Sequence, residues 1–216
     1  MRALDGLLRH RVSIALASCW TLSAAVLAVL PDRSVEGLLE RASTTLPRLA
    51  AWPLTLPVSG LLVHQDLAVW LLALLLGVDQ LERALGWRRT VTLLAGVHAG
   101  ATVLSQALLG TRVAVGHAPY ALLGQVDVGP SYLSVGGLAA AAVLAPTRGR
   151  AALAAGALAV STPELLEGLR HLDLAATGHL AAALLGAGGG WWSRPASVPA
   201  ERRRDVNARS GPDDPA

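Results

Sequence analysis

The chain has 216 residues, of which 53% are hydrophobic and 15% are charged, and the apolar residues fall in blocks. This composition argues against a soluble domain and predicts an all-α protein that crosses a membrane several times. All 18 basic residues are arginines that lie between the apolar blocks, so the net charge of +3 does not indicate nucleic-acid binding. Cys19 is the single cysteine, which excludes a disulfide within one chain.

Apolar runs near the length that crosses a bilayer, about 20 residues, predict the first three spans. The first run covers residues 12–30, and the next two cover 58–77 and 90–109. The polar connection 31–57 contains apolar side chains at helical spacing, which predicts a short helix at the membrane interface. The charged segment 79–89 predicts a tight turn between the second and third spans.

Three shorter apolar runs complete a predicted bundle of about six transmembrane helices within residues 1–192. They cover 131–145, 151–162 and 172–189, and the sequence leaves the extent of the alanine-rich fifth span open. Residues 193–216 are rich in proline, arginine and aspartate, which predicts a disordered basic tail.

The distribution of arginines between the loops predicts the orientation. With six spans, the side that holds both termini carries 13 arginines and the opposite side carries five. We therefore expect a multi-pass protein of the plasma membrane with both termini in the cytoplasm.

Ser131 follows a Gly129-Pro130 pair, so it is expected at the N-terminus of the fourth helix. That helix is too short to cross the bilayer, which places its start below the membrane surface beside irregular chain. The unpaired N–H groups at a helix start suit an oxyanion that forms next to a serine nucleophile. The alternative is that Ser131 only caps the helix.

Ionisable side chains inside apolar segments are costly, and this makes them functional candidates. His179 lies in the sixth span among small residues, where a neighbouring helix can approach closely. It is either a general base for a serine on that helix or a partner in an interhelical hydrogen bond. His98, in the third span, and His64 and Asp66, near the start of the second, either help to hydrate a functional site or serve only packing and hydrogen bonding. No metal-ligand spacing or phosphate-binding loop occurs, so no metal or cofactor is expected.

The order of these features resembles the rhomboid family of intramembrane serine proteases over roughly residues 58–190. That family has a six-helix core, a Gly-x-Ser-Gly motif that opens a short fourth helix, and a base histidine in the sixth helix. Three elements carry the resemblance, in this order: Glu82-x-x-x-Gly86 followed by a basic pair, Gly129-Pro-Ser131 with Gly136, and Gly178-His179 with Ala181 and Ala182.

The resemblance implies that Ser131 is a nucleophile and His179 a general base, acting together on the transmembrane helix of another protein. The same resemblance implies an oxyanion and water pocket formed by five further residues: Gly129, Tyr132, His64, Asp66 and His98.

Two departures from the family pattern leave the activity open. Tyr132 stands where the family usually has a second glycine, and the second helix lacks the usual His-x-x-x-Asn pair of the oxyanion hole. The protein is therefore either a protease or a catalytically inactive relative that binds membrane clients. A third possibility is an unrelated multi-pass transporter, which would show two related halves. The lipid bilayer is a partner in every case.

Overall fold

The computed structural model describes residues 10–194, and all regular structure in that range is helical. The all-α prediction is thus confirmed for the described residues. Apart from its first two residues, the predicted tail 193–216 lies outside this range, and so do Arg2 and Arg9.

Ten α-helices and two short 3₁₀ segments make up the described structure. The helices of the first half are α1 (Arg11–Val29), α2 (Asp32–Ala42), α3 (Leu46–Ala51), α4 (Thr55–Ser59), α5 (Leu67–Leu76), α6 (Val78–Leu85) and α7 (Trp87–Ala114). The second half contains α8 (Ser131–Leu144), α9 (Arg148–Leu165) and α10 (Leu174–Trp192), with 3₁₀ turns at Tyr120–Gly124 and Leu169–His171.

The predicted count of six membrane spans is not confirmed. In the described residues two helices, α1 and α7, are long and apolar enough to cross a membrane, judged by length and composition. Helix α8 is apolar but shorter. Helix α9 extends beyond the fifth predicted span at both ends, whereas α10 begins two residues after the predicted start of the sixth span and ends three residues beyond its predicted end.

The second predicted span, residues 58–77, does not form one helix. A loop follows Ser59, and α5 begins only at Leu67. Asp66 has a backbone φ of 51°, a left-handed conformation that cannot continue a helix. At the other end, α5 stops at Gly77 and α6 begins with the next residue. Residues 60–66, which precede α5, therefore form an irregular segment.

The charged segment expected to be a tight turn instead forms helix α6. Its two acidic side chains form an ion pair and hydrogen bonds with residues at the start of α1. Asp79 pairs with His10 at 2.6 Å, and Glu82 accepts hydrogen bonds from the backbone N–H groups of Val12 and Ser13 at 2.9 and 3.0 Å. A carboxylate at this position stabilises a helix N-terminus. Helix α6 thus anchors α1 to the rest of the protein.

Helix α8 lies at the centre of the described structure. Residues 132–141 are all buried, and α8 packs against α5, α6, α7, α9 and α10. Its closest neighbour is α10, because a Cβ atom on Gly186 would overlap the carbonyl oxygen of Gly136. The small residues around His179 predicted such a close approach, and the structure confirms it.

Candidate functional site

Ser131 is the first residue of α8 and follows a sharp turn. Gly129 has a φ of 140°, which L-residues with a side chain rarely adopt, and its N–H group donates to the carbonyl oxygen of Ser59 at 2.9 Å. Ser134 is the first residue of the helix whose N–H group bonds backward, to the carbonyl oxygen of Pro130. The N–H groups just before it therefore lie at the open end of the helix. Ser131 is itself partly exposed.

His179 lies in α10 and is held by a hydrogen bond to the end of α9. Its Nδ1 lies 2.8 Å from the carbonyl oxygen of Leu165. Because a carbonyl oxygen can only accept, Nδ1 must carry the proton. In the neutral ring, Nε2 is then left with a free lone pair. A histidine in this tautomer can accept a proton at Nε2, which is what a general base requires.

Tyr132 is the side chain that contacts the His179 ring. Its ring centroid lies 5.5 Å from that of His179 in an edge-on arrangement and 6.1 Å from that of His98. Gly178 faces the same tyrosine, and a Cβ atom there would overlap its ring and hydroxyl group. Tyr132 is buried between α7 and α10, whereas Ser131 is partly exposed. Within the described residues, no hydrogen bond joins Ser131 to His179.

Asp127 fixes the position of Tyr132. The tyrosine hydroxyl donates to Asp127 Oδ1 at 3.2 Å, and the Thr44 hydroxyl donates to Oδ2 at 3.0 Å. The backbone N–H of Asp127 donates to Ser43 Oγ at 2.8 Å, which ties the loop before α8 to the segment after α2. Burial raises the pKa of the Asp127 carboxyl, and the hydrogen bonds from Thr44 and Tyr132 partly oppose that rise.

The sequence analysis did not single out Asp127 as a site residue. A signal was available, since Asp127 is the lone acidic residue between α7 and α8 and lies just before the Gly129-Pro130 pair. A single carboxylate in such an apolar setting is costly unless it has partners.

His98 makes a second set of polar contacts, which join α7 to α4. Its Nε2 lies 2.8 Å from the carbonyl oxygen of Leu56 and 3.1 Å from Ser59 Oγ. The opposite nitrogen, Nδ1, is buried without a hydrogen-bond partner among the described residues. His98 therefore links α7 to α4 and leaves one polar atom facing the interior.

Other buried polar atoms near His98 also lack partners in the described part of the chain. They belong to Thr102 and Gln106, which follow His98 at four-residue intervals on α7, and to Ser134 on α8. Gln106 also lies close enough to Asp127 to act on its carboxyl group. Buried polar atoms of this kind commonly bind ordered water, and these side chains are suited to do so.

The two remaining candidates lie at the surface of the described structure. His64 and Asp66 are both exposed and belong to the irregular segment before α5. Neither has a hydrogen bond to Ser131, Tyr132 or His179 among the described residues. The structure thus brings the rings of His98, Tyr132 and His179 together, with Gly129 and Ser131 in the chain just before Tyr132. No hydrogen bond joins His64 or Asp66 to these rings among the described residues.

A family model described as a rhomboid-like protein matches residues 12–195, which is most of the chain. No curated protein and no solved structure gives a match.

Proposed function

Because the chain belongs to the rhomboid-like family of membrane proteins, we propose that it is an intramembrane serine protease. Ser131 is the nucleophile and His179 is the general base. The substrate is the transmembrane helix of another protein, which is cut near the external leaflet.

The hydrogen bond between His179 Nδ1 and the carbonyl oxygen of Leu165 carries this proposal. It leaves the Nε2 lone pair of a neutral ring available on α10, the helix that packs most closely against α8. Since Ser131 opens α8, nucleophile and base lie on two helices whose contact is fixed by glycines such as Gly136.

The reaction is an acyl transfer in two steps. His179 Nε2 takes the proton of the Ser131 hydroxyl group as its oxygen attacks the peptide carbonyl carbon, and the N–H groups at the start of α8 stabilise the oxyanion. The C–N bond then breaks, the leaving amine takes the proton from His179, and an acyl ester on Ser131 remains. Water, deprotonated by His179, hydrolyses the ester and releases Ser131.

The topology that fits this function has six spans and both termini in the cytoplasm of a plasma-membrane protein. The partly exposed Ser131 then faces the external side, to which the loop between α7 and α8 also belongs. The excess of arginine on the side of the termini supports this orientation.

Cleavage of a reporter in vesicles tests the proposal. The full chain is reconstituted with a single-span reporter protein that carries different tags at its two ends and a helix-breaking Gly-Ala segment near the external end. We expect cleavage by the unmodified protein and by Ser34→Ala, at an exposed serine of α2, and none by Ser131→Ala or His179→Ala. Cleavage that persists in Ser131→Ala would show that Ser131 is not the nucleophile.

A second function, binding of client helices without cleavage, is favoured by one observation. The Tyr132 ring rather than Ser131 contacts His179, and it is buried and anchored by Asp127. If Tyr132 keeps Ser131 from His179, the reporter helix will co-purify intact with the unmodified protein.

A further inference from the structure

Far from Ser131, a groove of about 400 Å³ lies between the start of α7 and the end of α10. Its rim contains Arg88, Arg89 and Thr92, and its floor contains Leu93 and Gly189. From this combination we propose that the groove binds the headgroup of an anionic phospholipid, with one acyl chain lying along the apolar floor. The proposal is independent of the hydrolytic function.

Within residues 10–194, the charges at the rim have no acidic partners. Among the described residues the ion pairs are those of Asp79 with His10 and Arg83, so neither Arg88 nor Arg89 is neutralised by a carboxylate. Arg88 stacks over the Trp87 ring at 5.2 Å, which orients its guanidinium group without cancelling its charge. Both guanidinium groups are exposed and both line the groove, and arginine is the side chain best suited to bind a phosphate.

The end of α10 indicates a lipid rather than a free anion. Trp192, which lines the groove, is 90% exposed, and its neighbour Trp191 is 66% exposed. Tryptophan is enriched where helices meet the membrane–water interface, so the groove opens at headgroup level. Arg194 stacks over Trp191 at 4.5 Å and donates to the carbonyl oxygen of Val143 at 3.2 Å, so its charge lies at the same end of the bundle but outside the groove.

The base of the groove is apolar. Leu93 packs directly against Gly189, since a Cβ atom on Gly189 would overlap the Leu93 side chain. A phosphate alone would make no use of this floor, whereas the glycerol and acyl groups of a phospholipid would.

The test is native mass spectrometry of the full-length protein in detergent, titrated with dioleoyl phosphatidylglycerol or dioleoyl phosphatidylcholine. The variant Arg88→Gln/Arg89→Gln removes the two rim charges. Its control, Arg148→Gln/Arg150→Gln, removes two exposed arginines from the start of α9, outside the groove.

We expect the phosphatidylglycerol adduct to weaken about 10- to 30-fold in the groove variant, from roughly three- to fivefold per arginine, and to stay unchanged in the control. Equal weakening in both variants would show general charge attraction and overturn the proposal. So would equal binding of the two lipids by the unmodified protein. Displacement of the lipid by an equal concentration of inorganic phosphate would make the groove a phosphate site and likewise overturn it.

Discussion

Replacing Gly178 with alanine tests whether Tyr132 occupies the space beside His179. The new Cβ atom would overlap the ring and hydroxyl of Tyr132, which is 3% exposed. The ring cannot move aside, because its hydroxyl is bound to Asp127 and it lies between His98 and His179. Overpacking costs roughly 1–3 kcal/mol, and these rigid surroundings place Gly178→Ala near the upper end, at about 3 kcal/mol.

Gly188 on the same helix provides a matched control. A Cβ atom on Gly188 would meet nothing within 4 Å. Because alanine favours a helix over glycine by about 1 kcal/mol, Gly188→Ala should leave the free energy of unfolding unchanged or raise it by up to that amount. The measurement is unfolding in mixed detergent micelles with increasing dodecyl sulfate, followed by circular dichroism.

The cause of the Gly178→Ala penalty can be isolated in a double-mutant cycle with Tyr132→Ala. If the clash with the tyrosine ring causes the loss, adding Gly178→Ala to Tyr132→Ala should cost less than about 1 kcal/mol. If Gly178→Ala and Gly188→Ala have the same free energy of unfolding in the unmodified background, Tyr132 does not fill the space beside His179.

Two further substitutions test the polar anchors of the fold by the same unfolding assay. Tyr132→Phe removes the hydroxyl bonded to Asp127 and should lower the free energy of unfolding by about 1.5–3 kcal/mol, while Tyr120→Phe, at an 80% exposed tyrosine, should change it by less than about 0.5 kcal/mol. Glu82→Gln removes the charge that caps the start of α1 and should cost about 2–3 kcal/mol, whereas Glu36→Gln, at an exposed position, should be neutral. If the two variants of either pair change the free energy of unfolding equally, the hydrogen bonds at that anchor do not stabilise the fold.

The helices that carry Ser131 and His179 could be predicted from the sequence. The Gly-Pro pair that opens α8 and the apolar run after it are local signals, and so are the small residues around His179. Their close packing follows from those small residues, because glycine and alanine allow two backbones to approach.

The segment between the first and third predicted spans could not be predicted, because its structure depends on distant partners. Helix α6 looked like a charged turn, but Asp79 and Glu82 are satisfied by the start of α1, some seventy residues earlier in the chain. The break before α5 had a local signal in the polar His64-Gln-Asp66 segment, which the surrounding apolar residues obscured.

The position of Tyr132 in the site was also hidden from the sequence. A tyrosine next to the candidate nucleophile suggested crowding of the backbone. The structure instead turns the ring toward α10, and the reason is Asp127, whose own partners Ser43 and Thr44 lie more than eighty residues away. Such a contact leaves no periodicity that a single sequence reveals.

The central claim, that His179 activates Ser131, is tested most directly by reaction of the purified full chain with a fluorophosphonate probe, with the adduct mapped by mass spectrometry. We expect one adduct, on Ser131, that is absent from His179→Ala and retained in Ser34→Ala, at an exposed serine of α2. A protein shown to be folded by circular dichroism that forms no adduct, or an adduct undiminished in His179→Ala, would contradict it.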